Sequence, residues 1–464
     1  MKLAVLTGGA LLAGASVASV FAPVAELTGF VQDSASAQVT ISYSLDAAAI
    51  VTVDILTNGC SVGGANMMSL SGDVNRLFAA GPHSVTWQPE NEAWLGLTAE
   101  QREEARFPVG TVRAVVTAWS ERRPPNFMVI NLDDTSDVRY FPDRTFFPGV
   151  GGLTNDLYKT DYLVMRLCPA GKGMEGAVEG EASVWQTTTK PRHEITLTRD
   201  FYLGVYPLTQ RQYEKLSGKT AECYFSGGVY LNCATRPFDF GRRGSSSAYN
   251  WSQAKVRVGT TGKAWPKDRH DGVGSDSLIA TFRTKLGGLK VDLPTATQWE
   301  YACRAGEKEY SSFPDGLGVE TSGSSASASN RVEALGWIAS NSTMVNSNGS
   351  SEIQTHPVGE KAANAWDFYD LCGNVYEVCL DMRTRDSDYY SKMAADPSLC
   401  IDPTGPANGY PDGTGQGVVR GGGWHTTPGS SFSSACENAG STWGCNRFGL
   451  RLCWELEFGD DANL

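Results

Sequence analysis

Short apolar segments separated by polar, turn-forming residues dominate the first third of the chain. In residues 39–43 and 83–87 polar and apolar positions alternate, and residues 50–56 are largely apolar. The segments are rich in β-branched and aromatic residues, and clusters of Gly, Asn, Asp and Pro lie between them. This pattern predicts strands of an antiparallel β-sandwich. The predicted strands are 39–43, 50–56, 83–87, 111–119 and 127–132.

The pattern changes in the second half of the chain. We expect an immunoglobulin-like sandwich over residues 38–168, and the Gly-rich stretch at 171–180 indicates a linker over 169–183. From residue 184 onward the apolar segments are brief and the loops between them are long and rich in Gly, Ser and Asn. Capping-box pairs, Thr209 with Gln212 and Thr295 with Gln298, predict two helix starts. The sequence therefore predicts a loop-rich second domain over 184–464.

The N-terminus has the pattern of a secretory leader. A lysine at position 2 precedes a largely apolar run at 3–24, and small residues follow up to the A-x-A site at 35–37. This predicts a signal peptide over 1–37, cleaved before Gln38, and export to the periplasm, the cell surface or the medium. The alternative is an uncleaved membrane anchor, although Gly8, Gly14 and Pro23 interrupt the run. After cleavage we expect no membrane association.

Charge and cysteine content narrow the class of protein further. The net charge of -12 disfavours nucleic acid and anionic membranes as partners, because phosphate groups would be repelled. Eleven cysteines without a CxxC pair indicate disulfides in an exported chain rather than a metal cluster. The odd number leaves at least one thiol free or intermolecular.

Eight short motifs occur in a fixed order through the second domain, and together they carry a family resemblance. They are PRHEITL (191–197), FYLG (201–204) followed by LTQ (208–210), LPTATQWEYA (293–302), HPVG (356–359), NAW (364–366), GNVYE (373–377), RGGGW (420–424) and RFGLR (447–451). This series resembles the formylglycine-generating enzyme, or sulfatase-modifying factor, family. The resemblance covers about residues 184–454. It implies an α+β, C-type-lectin-like fold with little regular secondary structure.

A metal site is expected where two carboxylates, Asp370 and Glu377, flank a Gly-Asn turn. Such a loop can bring them together with the carbonyl groups of Gly373 and Val375, and hard oxygen ligands of this kind suit Ca²⁺. Family members bind a structural calcium at the matching positions, so the resemblance implies the same site here. The alternative is a solvated turn in which Asp370 caps the backbone.

The copper site of the family is altered in this chain. Members that oxidise a sulfatase cysteine to formylglycine hold Cu(I) with two cysteines of the C-terminal block. Cu(I) is a soft ion, so thiolates bind it far better than oxygen ligands do. The matching positions here are Thr426 and Ser431. We therefore expect no copper and no copper chemistry.

Two further site predictions concern neighbouring residues. By its match to the family position that pairs with the helix cysteine, Cys436 is expected to form a disulfide with Cys303. His425 directly follows Trp424 and is a candidate general base with Thr426 or Ser431 as nucleophile. The interpretation that we favour for His425 is a loop histidine without a catalytic partner, because no triad-like spacing supports it.

Two functions are compatible with this sequence. The first is an exported, non-catalytic binding or structural module with an unknown protein or glycan ligand. Its ligand surface would lie between the RGGGW and RFGLR motifs, where polar residues surround aromatic ones. The residues predicted for this surface are Trp424, His425, Asn438, Trp443 and Asn446. The second is a sulfatase-modifying oxidase, or a related oxidoreductase of the same family.

Overall fold

The computed structural model describes most of the chain outside its N-terminus. The described residues are 22–33, 35–92, 112–181, 189–221, 233–239, 273, 275, 277–306, 311–345, 349, 351–382, 389–405, 416–435, 437–440 and 447–459. Among them, no helix has the length and apolar character that crossing a bilayer requires.

The N-terminal part is a two-sheet β-sandwich, as the alternating pattern predicts. One sheet has the order β1-β2-β7-β5; in the other, β3 lies between β4 and β6 and also pairs with β8. Every second residue of β2 is buried, so one face of that sheet packs into the core. The strands are β1 (Ala25–Gln32), β2 (Val39–Leu45), β3 (Ala49–Thr57), β4 (Cys60–Ser61), β5 (Ser71–Gly72), β6 (Arg76–Phe78), β7 (Gly81–Trp87) and β8 (Val112–Trp119).

The C-terminal part combines short helices with several small sheets and one larger sheet. Its strands are β9 (Phe127–Asn131), β10 (Val138–Phe141), β11 (Tyr162–Cys168), β12 (Gly171–Glu175), β13 (His193–Leu197), β14 (Arg199–Gly204), β15 (Gly336–Trp337), β16 (Thr343–Val345), β17 (Ser351–Ile353), β18 (Cys372–Gly373), β19 (Tyr376–Met382), β20 (Gln416–Arg420), β21 (Glu437–Gly440), β22 (Phe448–Gly449) and β23 (Cys453–Gly459). The helices are α1 (Leu157–Thr160), α2 (Gln210–Ser217), α3 (Leu278–Lys285), α4 (Ala296–Cys303), α5 (Ala326–Leu335) and α6 (Tyr389–Ala395). The predicted α+β fold with little regular secondary structure is confirmed.

Both predicted capping boxes are present. Thr209 and Gln212 cap α2, and Thr295 and Gln298 cap α4; in each pair the threonine side chain accepts from the backbone N–H of the glutamine. Every residue of α4 is buried. The helix is therefore fixed at its start by local bonds and elsewhere by packing inside the domain.

The larger sheet crosses the predicted domain boundary. Its order is β10-β9-β11-β14-β23, so strands from residues 127–168 pair with strands that lie far along the chain. Met165 of β11, for example, pairs with Gly204 of β14. The prediction placed these strands in the sandwich, and the structure instead places them in the sheet of the C-terminal part. Hydrophobic pattern indicates that a segment is a strand, but it does not identify the sheet that the strand joins.

Strand β1 lies inside the segment predicted to be the signal peptide. Its pairing with β2 runs from Ala25 opposite Leu45 to Gln32 opposite Val39. Ala25 and Phe30 also pack against the sandwich core. Cleavage before Gln38 would therefore remove an edge strand and expose the apolar surface that it covers.

We expect a chain that begins at Gln38 to be less stable than one that begins at Pro23, by on the order of 2–4 kcal/mol in the sandwich. The loss follows from the uncovered core and from the unpaired edge of β2. Urea unfolding of the two purified chains measures the difference. Equal midpoints and equal slopes would show that β1 contributes nothing to the sandwich.

Candidate functional site

Arg420, the first residue of the RGGGW motif, is fully buried and lies between two carboxylates. Its guanidinium donates to Glu300 at 3.0 Å and to Glu175 at 3.2 Å. It also reaches the backbone carbonyl oxygens of Ser433 at 3.4 Å and Ala435 at 3.5 Å. The same side chain therefore joins β20, β12 and α4 to the loop that follows the motif.

Further side chains complete this buried network. Arg304 donates to Glu300 at 2.7 and 2.9 Å, one helical turn along the chain. Thr297 and Tyr390 donate to Glu175 at 2.9 and 3.0 Å. Buried charges need such partners, because desolvation disfavours an ion that has no counter-charge. With Arg420 included, two carboxylates face two guanidinium groups, and the His193 ring lies 3.7 Å from Glu175 as a further polar neighbour.

The two carboxylates predicted to bind calcium are bonded to other residues of the chain. Glu377 is paired with Arg451 through both carboxylate oxygens, at 2.6 and 2.8 Å, and Trp299 donates to it at 2.7 Å. Asp370 accepts from the backbone N–H of Gly359 at 2.7 Å and from the Asn374 side chain at 3.2 Å.

This arrangement does not fit a calcium ion. The Arg451 guanidinium already compensates the charge of Glu377, and it would repel a cation placed beside that carboxylate. Burial raises the pKa of Asp370 to about 6. Gly373 and Val375 are buried between these residues, in and beside β18. We therefore assign Asp370 and Glu377 to the scaffold.

The two copper positions lie close together and carry hydroxyl groups. A Cβ atom on Gly422 would lie 2.4 Å from Ser431 Oγ and 3.1 Å from Thr426 Oγ1. The two oxygens are therefore no further apart than the sum of these distances. Gly422 has a φ of 74°, a conformation that glycine adopts without strain. The backbone thus keeps a close pair of side chains, but both end in hard oxygen atoms.

These hydroxyl groups have different surroundings. Thr426 Oγ1 accepts from the Gly423 N–H at 3.1 Å and donates to the Gly423 carbonyl at 2.9 Å. Ser431 is fully buried, and its Oγ has no hydrogen-bond partner among the described residues. Cys372 lies beside it and donates its thiol to the Ser431 carbonyl at 3.4 Å.

His425 lies near these hydroxyl groups without bonding to either of them. Its ring packs at an angle against Trp424, with centroids 5.1 Å apart, and against Tyr376 at 5.8 Å. Burial, with a smaller effect of Arg447, lowers the pKa of His425 to about 3. The Nδ1 atom has no hydrogen-bond partner in the part of the chain that the structure describes. A neutral ring of this kind lacks the orienting acid that a general base needs.

The rest of the predicted ligand surface and the predicted disulfide fall partly outside the described residues. Trp424 is half-buried and donates its backbone N–H to the Asn374 carbonyl at 2.8 Å. Asn438 lies in β21, whereas Trp443, Asn446 and Cys436 lie outside the described residues. Cys303 is a buried thiol, 3.5 Å from Ser433 Oγ. Its pairing with Cys436 stays a prediction.

Sequence reasoning missed Glu181, which lies in the segment treated as a linker. Its side chain is almost fully buried and bonds the hydroxyl groups of Ser434 and, at 3.3 Å, Ser312. Burial raises its pKa to about 7, while the charges of Arg304 and Glu300 act in opposite directions. The only signal in the sequence is a lone glutamate after a Gly-rich stretch, which carries no information on burial.

Comparison with known proteins identifies the family of the C-terminal part. The family model of the sulfatase-modifying factor enzyme 1-like domain matches residues 158–456. The chain belongs to this family, and the match begins in α1, just before β11 of the larger sheet.

Several relatives share the domain at low identity. The chaperone protein LppX of Paenibacillus barcinonensis is 24% identical over 218 residues, which cover 45% of this chain and 71% of that protein. The serine/threonine-protein kinase pkn1 of Chlamydia caviae is 26% identical over 55% of this chain, and the match spans 32% of the kinase. Among solved structures, Treponema denticola variable protein 1 aligns with 19% identity and a TM-score of 0.43, covering 64% of this chain and 96% of that one. PvdO from Pseudomonas aeruginosa aligns with 22% identity and a TM-score of 0.41, covering 63% and 95%.

Replacing Arg420 with methionine should destabilise the C-terminal part by about 3–5 kcal/mol, because Glu175 and Glu300 would stay buried without their shared cation. Urea unfolding measures the change. The matched control is Arg199→Met, since Arg199 is 43% exposed in its pair with Glu455 and should contribute less than about 1 kcal/mol. Equal losses in the two variants would contradict a central role for Arg420.

Ionisation of the buried Glu181 side chain should lower the free energy of unfolding as pH rises. Its folded pKa of about 7 exceeds the unfolded value of 4.5, so the unfolded chain releases the proton first. The contribution is fully present below pH 4.5 and is lost as pH rises to about 7, with a total of about 3 kcal/mol. Urea midpoints between pH 4 and 8 measure the slope, and Glu181→Gln should remove this part of it. If the urea midpoints of Glu181→Gln had the same pH dependence as those of the wild-type chain, the raised pKa of Glu181 would be contradicted.

Proposed function

We propose that this protein is an exported, non-catalytic binding module built on the sulfatase-modifying factor fold. The observation that carries the proposal is the pair of hydroxyl groups of Thr426 and Ser431 beside Gly422. The backbone holds these side chains close together, as two ligands of one Cu(I) ion would require, but neither is a thiolate. Export is inferred from the apolar N-terminal run at 3–24, most of which precedes β1.

Neighbouring thiols are poor substitutes for the missing ligands. Cys303 and Cys372 are fully buried, each within a cluster of apolar side chains. Burial raises the pKa of the Cys303 thiol to about 12 and raises the pKa of the Cys372 thiol well above its usual range. Cu(I) binds the thiolate form, so these thiols would first have to ionise in apolar surroundings. This supports loss of the oxidase rather than relocation of its copper.

The binding role is supported by the surface around the former copper positions. Trp424 and His425 are half-buried, and the segment between the RGGGW and RFGLR motifs is rich in Ser, Thr, Asn and Gly. Aromatic anchors among small polar residues suit recognition of a protein or a glycan. A fold does not carry an activity without the residues of its site, so membership of the family alone does not imply oxidation.

The proposal is tested by copper binding. In anaerobic Cu(I) titrations the wild-type chain should bind no stoichiometric copper and should not convert a cysteine-containing sulfatase peptide. The Thr426→Cys, Ser431→Cys double variant should gain about one equivalent of Cu(I), because two thiols then replace the close hydroxyl pair. The two single variants are the matched controls and should bind weakly.

The alternative function, a sulfatase-modifying oxidase, predicts the opposite results. A sulfatase-modifying oxidase would bind about one equivalent of copper as the wild-type chain and would produce formylglycine in the peptide. Mass spectrometry detects that product directly, since the cysteine side chain loses its sulfur. Either result with the wild-type chain would reject the non-catalytic module.

A further inference from the structure

Trp337 lies at the centre of a three-layer stack next to the proposed ligand surface. The His356 ring is parallel to the indole, with centroids 3.7 Å apart and planes 7° apart. The Lys361 ammonium lies 3.9 Å from the centre of the same indole. At these short distances the two groups must cover opposite faces of the ring. One cover is a buried aromatic ring, and the other is a long, flexible side chain.

Two ring nitrogens in this stack have unused hydrogen-bonding capacity. Trp337 Nε1 and His356 Nε2 are buried, and neither has a partner within the described ranges. The indole N–H can only donate. A neutral imidazole has one donor and one acceptor nitrogen, so His356 Nε2 can accept a hydrogen bond when Nδ1 carries the proton. The stack therefore holds an unpaired donor and an unpaired ring nitrogen that can accept, and leaving such groups buried without partners is unfavourable.

Asn374 ties this stack to Trp424. Its backbone N–H donates to the Trp337 carbonyl at 2.7 Å, and its carbonyl accepts from the Trp424 N–H at 2.8 Å. Its side chain bonds the backbone of His356 in both directions, at 3.1 Å each. Asn374 is fully buried. Asn374 therefore fixes the positions of Trp337, His356 and Trp424 relative to one another.

We propose that Trp337, His356 and Trp424 form a saccharide-binding subsite, which Lys361 covers when no sugar is bound. The inference rests on the proposed binding function and specifies its ligand class. A sugar hydroxyl both donates and accepts, so it satisfies Trp337 Nε1 and His356 Nε2 together. A carboxylate or phosphate only accepts and would leave His356 unpaired, and a metal ion would face the indole N–H.

A sugar ring can displace the Lys361 side chain from the Trp337 indole. Lys361 has no carboxylate partner among the described residues, so its position depends on a weak contact with the indole. A sugar that displaces it stacks its apolar face on the freed indole face. Tryptophan supplies such a face at little entropic cost, since it has only two side-chain torsions.

The test uses the full chain and a panel of neutral α- and β-linked oligosaccharides of three to six hexose units, followed by ligand-observed NMR and tryptophan fluorescence. We expect saturable binding of at least one panel member. Trp337→Ala should weaken it about tenfold or more, and His356→Phe, which keeps the stack but removes the acceptor, should weaken it several-fold. Lys361→Ala should strengthen it, because the competing cover is gone. Trp119→Phe in the sandwich is the matched control and should change nothing.

Circular dichroism confirms that each variant is folded before binding is compared. The proposal is overturned if no panel member binds the wild-type chain, or if binding survives both Trp337→Ala and His356→Phe. Weaker binding in Lys361→Ala would also reject the role of that side chain as a cover. None of these outcomes alters the copper titration, so the subsite and the non-catalytic module fail independently.

Discussion

The C-terminal part of this protein depends on a buried guanidinium that two carboxylates share. Arg420 holds Glu175 of β12 and Glu300 of α4, and it reaches the carbonyl groups of Ser433 and Ala435. Burying these ions is unfavourable unless each keeps its partners, so the strand, the helix and the loop hold their positions together. In a domain with little regular secondary structure, this constraint replaces the order that longer elements would give.

A second buried pair extends the same principle. Arg451 of the RFGLR motif holds Glu377 and also donates to the carbonyl groups of Gly204 and Val205 at 2.8 Å each. Arg420 and Arg451 therefore both serve the scaffold. The chemistry of a site on this scaffold resides in other side chains, at positions such as Thr426 and Ser431. Neither Thr426 nor Ser431 is part of these buried ion pairs, so the residues at those two positions can differ while the scaffold stays the same.

The sequence predicted several features correctly because their causes are local. Thr209 with Gln212 and Thr295 with Gln298 act within four consecutive residues, and both capping boxes are present. The alternation in residues 39–43 likewise identified β2. Ordered motifs identified the family, and the family model confirms it.

Other predictions required partners that are distant in the chain. Glu377 was expected to bind calcium, but Arg451, 74 residues away, occupies its oxygens. Strands β9 and β11 were assigned to the sandwich, and β14 pairs with β11 in the sheet of the C-terminal part instead. Glu181 had no visible role until packing placed it against Ser312 and Ser434.

The sequence by itself determined the α+β fold, the order of the motifs and the replacement of the two copper cysteines by Thr426 and Ser431. These follow from residue identity and from spacing over a few positions. Tertiary structure decided which charges neutralise one another, which sheet each strand joins, and that Trp337, His356 and Trp424 meet on Asn374. The reason is physical: burial and pairing depend on contacts between distant segments, and a local pattern of polar and apolar residues does not encode those contacts.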